Sequence, residues 1–203
     1  MAESSNARPL ARALLDICRS RKLMIATAES CTGGLVAAAL TDIPGSSDVI
    51  DRGFVTYSNA AKHAMLGVET STLETFGAVS KETAIAMAIG ALEKADADLA
   101  VSITGIAGPG GAVPGKPVGL VHFAVAARDG RITSRECRFG AIGRSQVRQR
   151  SVIEALKMLT ELARGPQAPT KKTVRAVEVR VARTPRRSAA KRRVTKRVVT
   201  KKV

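Results

Sequence analysis

Residues 26–34 read Ala-Thr-Ala-Glu-Ser-Cys-Thr-Gly-Gly, a hydroxyl, a thiol and a second hydroxyl directly ahead of a glycine pair. An apolar run, Leu23-Met24-Ile25-Ala26, precedes the stretch, and an Ala- and Leu-rich one, Leu35 to Leu40, follows it. That succession predicts a buried strand, a tight turn and a helix. Three chemistries suit such a turn. Ser30 or Thr32 can cap the helix with its hydroxyl. The first N–H groups and dipole of the helix can hold a phosphate, although the lysine and the glycine spacing of a phosphate loop are missing. Or Ser30 is a nucleophile, presented on the turn so that the helix's first N–H groups stabilise an oxyanion.

A serine nucleophile needs a proton acceptor, and the chain has two histidines. His122 lies in Val-Gly-Leu-Val-His-Phe-Ala-Val-Ala, where Val118, Leu120, His122 and Ala124 share one face of a strand; a hydrogen-bonded sheet histidine is expected there. His63 follows Lys62 on a polar helical turn and is expected to be solvated. Neither supports a Ser-His-Asp triad. The stretch VTYSNAAKHAMLGV (55–68) offers another acceptor. Tyr57, the single tyrosine, stands at a strand end, and Lys62 sits five residues on among small residues that can desolvate it. Burial lowers a lysine's pKa and frees the neutral amine to act as a base. The competing reading is a solvated lysine beside a surface tyrosine. A third feature is GIAGPGGAVPGKPVG (105–119), the most Gly- and Pro-rich stretch of the chain.

The elements that must position these residues follow from periodicity. Leu10, Ala13, Leu14 and Ile17 predict an amphipathic helix over 8–21. Residues 23–27 make a first strand, 32–41 a helix, 52–57 a second strand and 59–65 a short helix. Ser80 caps a longer helix whose buried stripe is Ile85, Ala88, Ile89 and Leu92. Residues 98–104 form another apolar strand. Residues 118–127 and 131–139 flank Asp129-Gly130, a hairpin turn. The last helix starts near Arg144, with Val147, Ser151, Val152, Ala155, Leu159 and Leu162 along its inner side. Strands alternating with helices, plus one hairpin, predict an α/β fold: a three-layer α/β/α sandwich with a mixed β-sheet. Aromatic residues are 2% of the chain, so its core must be aliphatic and Ala-rich.

Charge divides the 203 residues in two. Residues 166–203 hold 14 Lys and Arg against the single acid Glu178, a net +13, which leaves 19 bases against 16 acids, +3, in residues 1–165. The first part is read as one domain, 1–165. The second, 166–203, is read as a disordered Lys/Arg-rich tail, because it cannot bury enough apolar surface to offset its ordering entropy. Three scattered cysteines, Cys18, Cys31 and Cys137, form neither a disulfide framework nor a metal site. They suit a reducing compartment. Residues 1–20 show neither the long apolar core nor the cleavage site expected of a signal peptide, and no run approaches roughly 18 apolar residues. The expectation is a cytoplasmic protein without a membrane span.

Four stretches, AESCTGG, GFVTYSNAAKHAMLGV, AVSITGIAGPGG and FGAIGRSQVRQRSVIEAL, occur in an order and spacing that resemble the C-terminal domain of the competence- and damage-inducible CinA family. The resemblance runs from about residue 8 to 163. It implies an α/β/α domain, usually dimeric, that hydrolyses nicotinamide mononucleotide to nicotinate mononucleotide and ammonia; no metal and no cofactor are expected, since the sequence shows no ligand cluster. Carried across, Ser30 corresponds to the nucleophile and Tyr57 and Lys62 to its activating partners. Thr104, Gly105, Gly108, Gly110, Gly111 and Arg144 correspond to substrate-binding positions. The last motif carries Gly143 before Arg144, where the commoner form has Gly-Asp-Arg.

Amide hydrolysis suits these residues, since it needs a nucleophile, a proton shuttle and oxyanion donors. Lys62 would take the Ser30 proton, directly or through Tyr57, and return it to the leaving ammonia. Thr32, Gly33 and Gly34 would supply the helix cap and the oxyanion donors. The loop around Gly108-Pro109-Gly110-Gly111 would bring N–H groups close to a nucleotide phosphate, with Arg144 adding a forked contact. The rival class is a binding module of weak or no activity whose tail contacts DNA or RNA without reading sequence. The tail has no aromatic residue for base stacking. Retention of Ser30, Tyr57 and Lys62 together argues for the enzyme.

Overall fold

The structure, a computed structural model, describes residues 7–166 of the chain. The basic segment that follows, and with it the expectation of a disordered tail, lies outside the described residues. Helix α1 (Ala7–Arg21) leads into strand β1 (Ile25–Glu29). Helix α2 (Leu35–Thr41) and one 3-10 turn (Ser46–Asp48) connect it to β2 (Ile50–Val55). Three helices, α3 (Asn59–Leu66), α4 (Thr70–Phe76) and α5 (Lys81–Lys94), return the chain to β3 (Leu99–Gly105). The hairpin β4 (Leu120–Ala127) and β5 (Ile132–Arg138) follows, and α6 (Arg144–Arg164) closes the domain.

The five strands lie in the order β2-β1-β3-β4-β5. β1 pairs in parallel with β2 and β3, whereas β3–β4 and β4–β5 are antiparallel. Helices α1, α2 and α6 cover one face, and α3, α4 and α5 the other. This is the expected three-layer sandwich on a mixed sheet.

Successive strand residues point to opposite faces, and the two faces differ in size. Leu99, Val101, Ile103, Val121, Phe123 and Val125 fill the layer under α1 and α6. Ala26, Ala28, Ala100, Ala124 and Ala126 face α5. Each fully buried Leu, Ile or Phe in the first layer contributes about 1.5–3 kcal/mol. The alanine face contributes less but lets α5 come close. At Gly90, a Cβ would stand 1.9 Å from the Leu66 carbonyl oxygen, so α5 touches the end of α3 backbone to backbone.

That close approach turns α5 relative to the expected stripe. Ala84, Met87, Ala88 and Ala91 are buried, while Ile85 and Ile89 are only half-buried at the rim. β1 ends at Glu29 rather than residue 27, because Thr27 and Glu29 are polar yet fully buried strand residues. Helix α2 starts at Leu35 rather than residue 32, since Gly33 and Gly34 hold φ of 60° and 95°, outside the helical region. Helix α4 was not expected; Leu73 is its one buried residue and gives no periodic signal.

The chain goes from β1 outward to β2 and then crosses back to β3 on the other side of β1. In such a sheet the crevice at the carboxyl ends of the two diverging strands is where ligands bind. Ser30 follows β1 and Gly105 ends β3, so both stand at that crevice.

Candidate active site

Ser30 is the first residue after β1, and its N–H donates to the Ile103 carbonyl at 2.9 Å, which extends the β1–β3 pairing to the turn. Its side chain faces Lys62. Ser58 caps α3 by accepting the Ala61 N–H at 3.0 Å, and this sets Lys62 on the first helical turn with its side chain inward. Lys62 is 1% exposed, among the largest fully buried side chains of the described residues. Its Nζ lies 3.0 Å from Ser30 Oγ and donates to the Thr56 carbonyl at 2.8 Å. Neither partner is charged. Burial without a counter-ion pushes the Lys62 pKa below its ordinary value. A lysine in this state holds a neutral amine more readily, and its lone pair can accept the Ser30 proton across the same contact.

Cys31 is adjacent but buried. Burial pushes its thiol up to about 12, so the nucleophilic thiolate is essentially unpopulated near neutrality. Of the two neighbouring nucleophiles, the hydroxyl is the one hydrogen-bonded to Lys62.

The helix cap differs from the expectation. Neither Ser30 nor Thr32 caps α2; Glu29 does. Its carboxylate accepts the N–H groups of Gly34 at 2.9 Å, Val36 at 3.1 Å and Ala37 at 2.9 Å. A hydroxyl on the turn is too short to reach past two glycines of positive φ, whereas a glutamate at the strand end spans the gap. Gly34 N–H is therefore committed to Glu29, and Gly33 N–H to the Ser30 carbonyl at 3.1 Å. This corrects the expectation that both glycines donate to an oxyanion. The N–H groups of Cys31 and Thr32, directly after the nucleophile, are the donors of the turn outside these bonds. The Thr32 and Thr56 hydroxyls are buried with no hydrogen-bond partner among the described residues, polar groups that a bound molecule can satisfy.

Tyr57 and Arg144 meet each other rather than the Ser30–Lys62 pair. Arg144 Nη2 donates to the Tyr57 hydroxyl and Nη1 to the Gly108 carbonyl, both at 3.0 Å. One guanidinium thus joins the end of β2, the loop after β3 and the start of α6. Tyr57 is 64% exposed, a residue of the site's mouth. Thr104 is buried and donates its hydroxyl to the Ala78 carbonyl at 2.7 Å. The loop glycines divide by role. A Cβ on Gly105 would stand 2.7 Å from the Leu120 carbonyl oxygen, and one on Gly108 would stand 2.7 Å from Val118. These two are required by packing. Gly110 and Gly111 are exposed, with nothing near a Cβ on Gly110.

The histidines stand apart. The Ser30 and Lys62 partners include neither. His122 pairs across the sheet with Thr104 and Glu136, its Nε2 is 3.8 Å from a Glu136 oxygen, and burial lowers its pKa. His63 is exposed, though its Nδ1 lies 2.9 Å from the Val68 carbonyl.

Two residues of the site escaped the sequence reading. Glu29 had a usable signal, an acid at a strand end five residues before the first N–H it binds. Arg148 had another: it lies four residues after Arg144 on α6, hence on the same face. Its Nη2 donates to the Thr32 carbonyl at 2.8 Å, which ties α6 to the nucleophile's turn.

A family model described as the CinA C-terminal domain matches residues 7–163. A nicotinamide-nucleotide amidohydrolase, PncC, of Escherichia coli K12 is 54% identical over 142 residues, which is 70% of this chain and 85% of its own length. A CinA-like protein of Mycobacterium marinum is 54% identical over 135 residues, 66% of this chain but 32% of its own. Among solved structures, the competence/damage inducible protein CihA of Agrobacterium tumefaciens superposes with a TM-score of 0.77 at 56% identity. The match covers 77% of this chain and 95% of that one.

Proposed function

The chain belongs to the CinA C-terminal domain family, and from that premise we propose that it hydrolyses the carboxamide of nicotinamide mononucleotide, releasing nicotinate mononucleotide and ammonia. The observation that carries this reading is the buried Ser30–Lys62 pair, 3.0 Å between Oγ and Nζ. The name of the Escherichia coli relative supports the substrate.

In the proposed reaction Ser30 Oγ attacks the carboxamide carbon as neutral Lys62 takes its proton. The N–H groups of Cys31 and Thr32, directly after the nucleophile in the chain, would donate to the developing oxyanion. Collapse of the tetrahedral adduct breaks the C–N bond, and Lys62 passes its proton to the departing ammonia. Water, deprotonated by Lys62, then attacks the ester on Ser30 and releases the carboxylate. Arg144 and the loop carrying Gly110 and Gly111 would hold the phosphate, with Arg144 exchanging its contacts to Tyr57 and Gly108 for phosphate oxygens. Thr104 and the packed glycines Gly105 and Gly108 would shape that loop. Tyr57 acts at the mouth by orienting Arg144, since its hydroxyl is bonded there. A homodimer and a weak, sequence-independent contact of residues 166–203 with nucleic acid complete the proposal.

The test is product identification. Incubating the full chain with nicotinamide mononucleotide should yield nicotinate mononucleotide and ammonia in equal amounts. Release of free nicotinamide, or no reaction with catalytic amounts of protein, would overturn the assignment.

A further inference from the structure

We infer that Glu29 is a positioning residue for this hydrolysis: its buried carboxylate locks the turn that carries Ser30, while its backbone holds the strand end that carries the Lys62 partner. The inference rests on the Ser30–Lys62 reading above. Glu29 is 0% exposed, and a buried carboxylate persists only where its oxygens are satisfied. Here Oε2 accepts from Gly34 and Val36 and Oε1 from Ala37. These are charge-assisted bonds at the positive end of a helix. Helix α2 has only seven residues and no side-chain cap of its own at Gly34. With the carboxylate removed, its first turn loses the three side-chain hydrogen bonds that tie it to β1.

The same residue reaches Lys62 by a second route. The Glu29 carbonyl accepts the Thr56 N–H at 2.8 Å, and the Thr56 carbonyl accepts Lys62 Nζ at 2.8 Å. Nucleophile and base are thus both referenced to one residue, the nucleophile through the side chain and the base through the backbone. Substitution of Glu29 frees only the first. The turn then drifts relative to a base that stays in place, and displacement of about 1 Å costs on the order of 100-fold in rate. Substrate binding relies on Arg144 and the loop after β3, which Glu29 does not touch.

The experiment is steady-state kinetics of full-length Glu29→Gln, Glu29→Asp and Glu29→Ala, with Ser30→Ala as the inactive reference. Glutamine keeps the length and one oxygen, so kcat should fall about 10- to 100-fold while KM stays within about threefold. Aspartate keeps the charge but is one methylene short, and should also lose kcat. Alanine should lose most. Wild-type kcat in folded Glu29→Gln, or kcat and KM changing in proportion, would overturn the inference. Hydrogen exchange of the wild-type chain supplies an arm independent of variant folding and of the substrate. The Gly34, Val36 and Ala37 amides should be protected, although first-turn N–H groups are ordinarily free. Rapid exchange at all three would sink the inference even if the amidase reading stands. If the wild type does not turn over nicotinamide mononucleotide, the function reading fails by itself.

Discussion

Replacing Lys62 with methionine separates the lysine's cost from its use. The side chain is 1% exposed and touches only a hydroxyl and a carbonyl through Nζ. In the unfolded chain its pKa is the ordinary 10.5; in the fold burial lowers it. Between those two values the unfolded state binds one proton that the folded state does not. Lys62's own contribution to stability therefore rises with pH across that window, by up to about 1.4 kcal/mol per pH unit. It is flat below the folded-state pKa, where the cost of burying the charge is felt in full, and flat again above 10.5. Lys62→Met removes this dependence. It also leaves the Thr56 carbonyl without its donor, a pH-independent loss of about 1–3 kcal/mol. The slope of the stability difference against pH, rather than its sign, is thus diagnostic. Urea denaturation of both full-length proteins from neutrality to about pH 10.5 measures it. The wild-type kcat/KM should rise with pH through the same folded-state pKa, and Lys62→Met should lose about 100-fold or more in turnover. A stability difference that stays level over the whole range would mean that Lys62 keeps its ordinary pKa in the fold. An ammonium of that kind is no base near neutrality, and the proposed proton transfer would be refuted.

Two further outcomes follow. Tyr57→Phe removes the hydroxyl bonded to Arg144 but nothing at Ser30, so KM should rise a few-fold with kcat nearly unchanged; a fall in kcat comparable to that of Lys62→Met would restore Tyr57 as a proton relay. A chain ending at Gly165 should keep its amidase activity and lose retention on nucleic acid at low salt, because the tail carries +13 of the net +16 and phosphate contacts are salt-sensitive. Unchanged retention would move the binding surface to the domain.

Much of the fold was legible because its elements are strongly periodic. Helix α6 buries Val147, Ser151, Val152, Ala155, Leu159 and Leu162 as its spacing predicts, and Asp129-Gly130 forms the hairpin turn between β4 and β5. The boundaries of β1 were not legible, since a strand buried on both faces shows no alternation, and its last residue is an acid that composition assigns to the surface. The phase of α5 was hidden for a related reason: in an Ala-rich helix the small residues, not the isoleucines, face a sheet layer built of alanine. At the site, types and order suggested Ser30 with Lys62, and the geometry brings them into contact. The partner of Tyr57 could not be read, because Arg144 is 87 residues away in sequence. Nor could the cap of α2, because capping habits favour short hydroxyl side chains next to the helix, and this one comes from across two left-handed glycines.

Ammonia release from nicotinamide mononucleotide by the wild type, Ser30→Ala and Cys31→Ala, measured side by side, tests the central claim most directly. The Ser30 hydroxyl lies 3.0 Å from Lys62 Nζ, whereas burial pushes the neighbouring Cys31 thiol up to about 12. Ser30→Ala should therefore lose about 10⁴-fold or more, and Cys31→Ala should retain most of the wild-type rate. An active Ser30→Ala beside an inactive Cys31→Ala would contradict the account and move the nucleophile to the thiol.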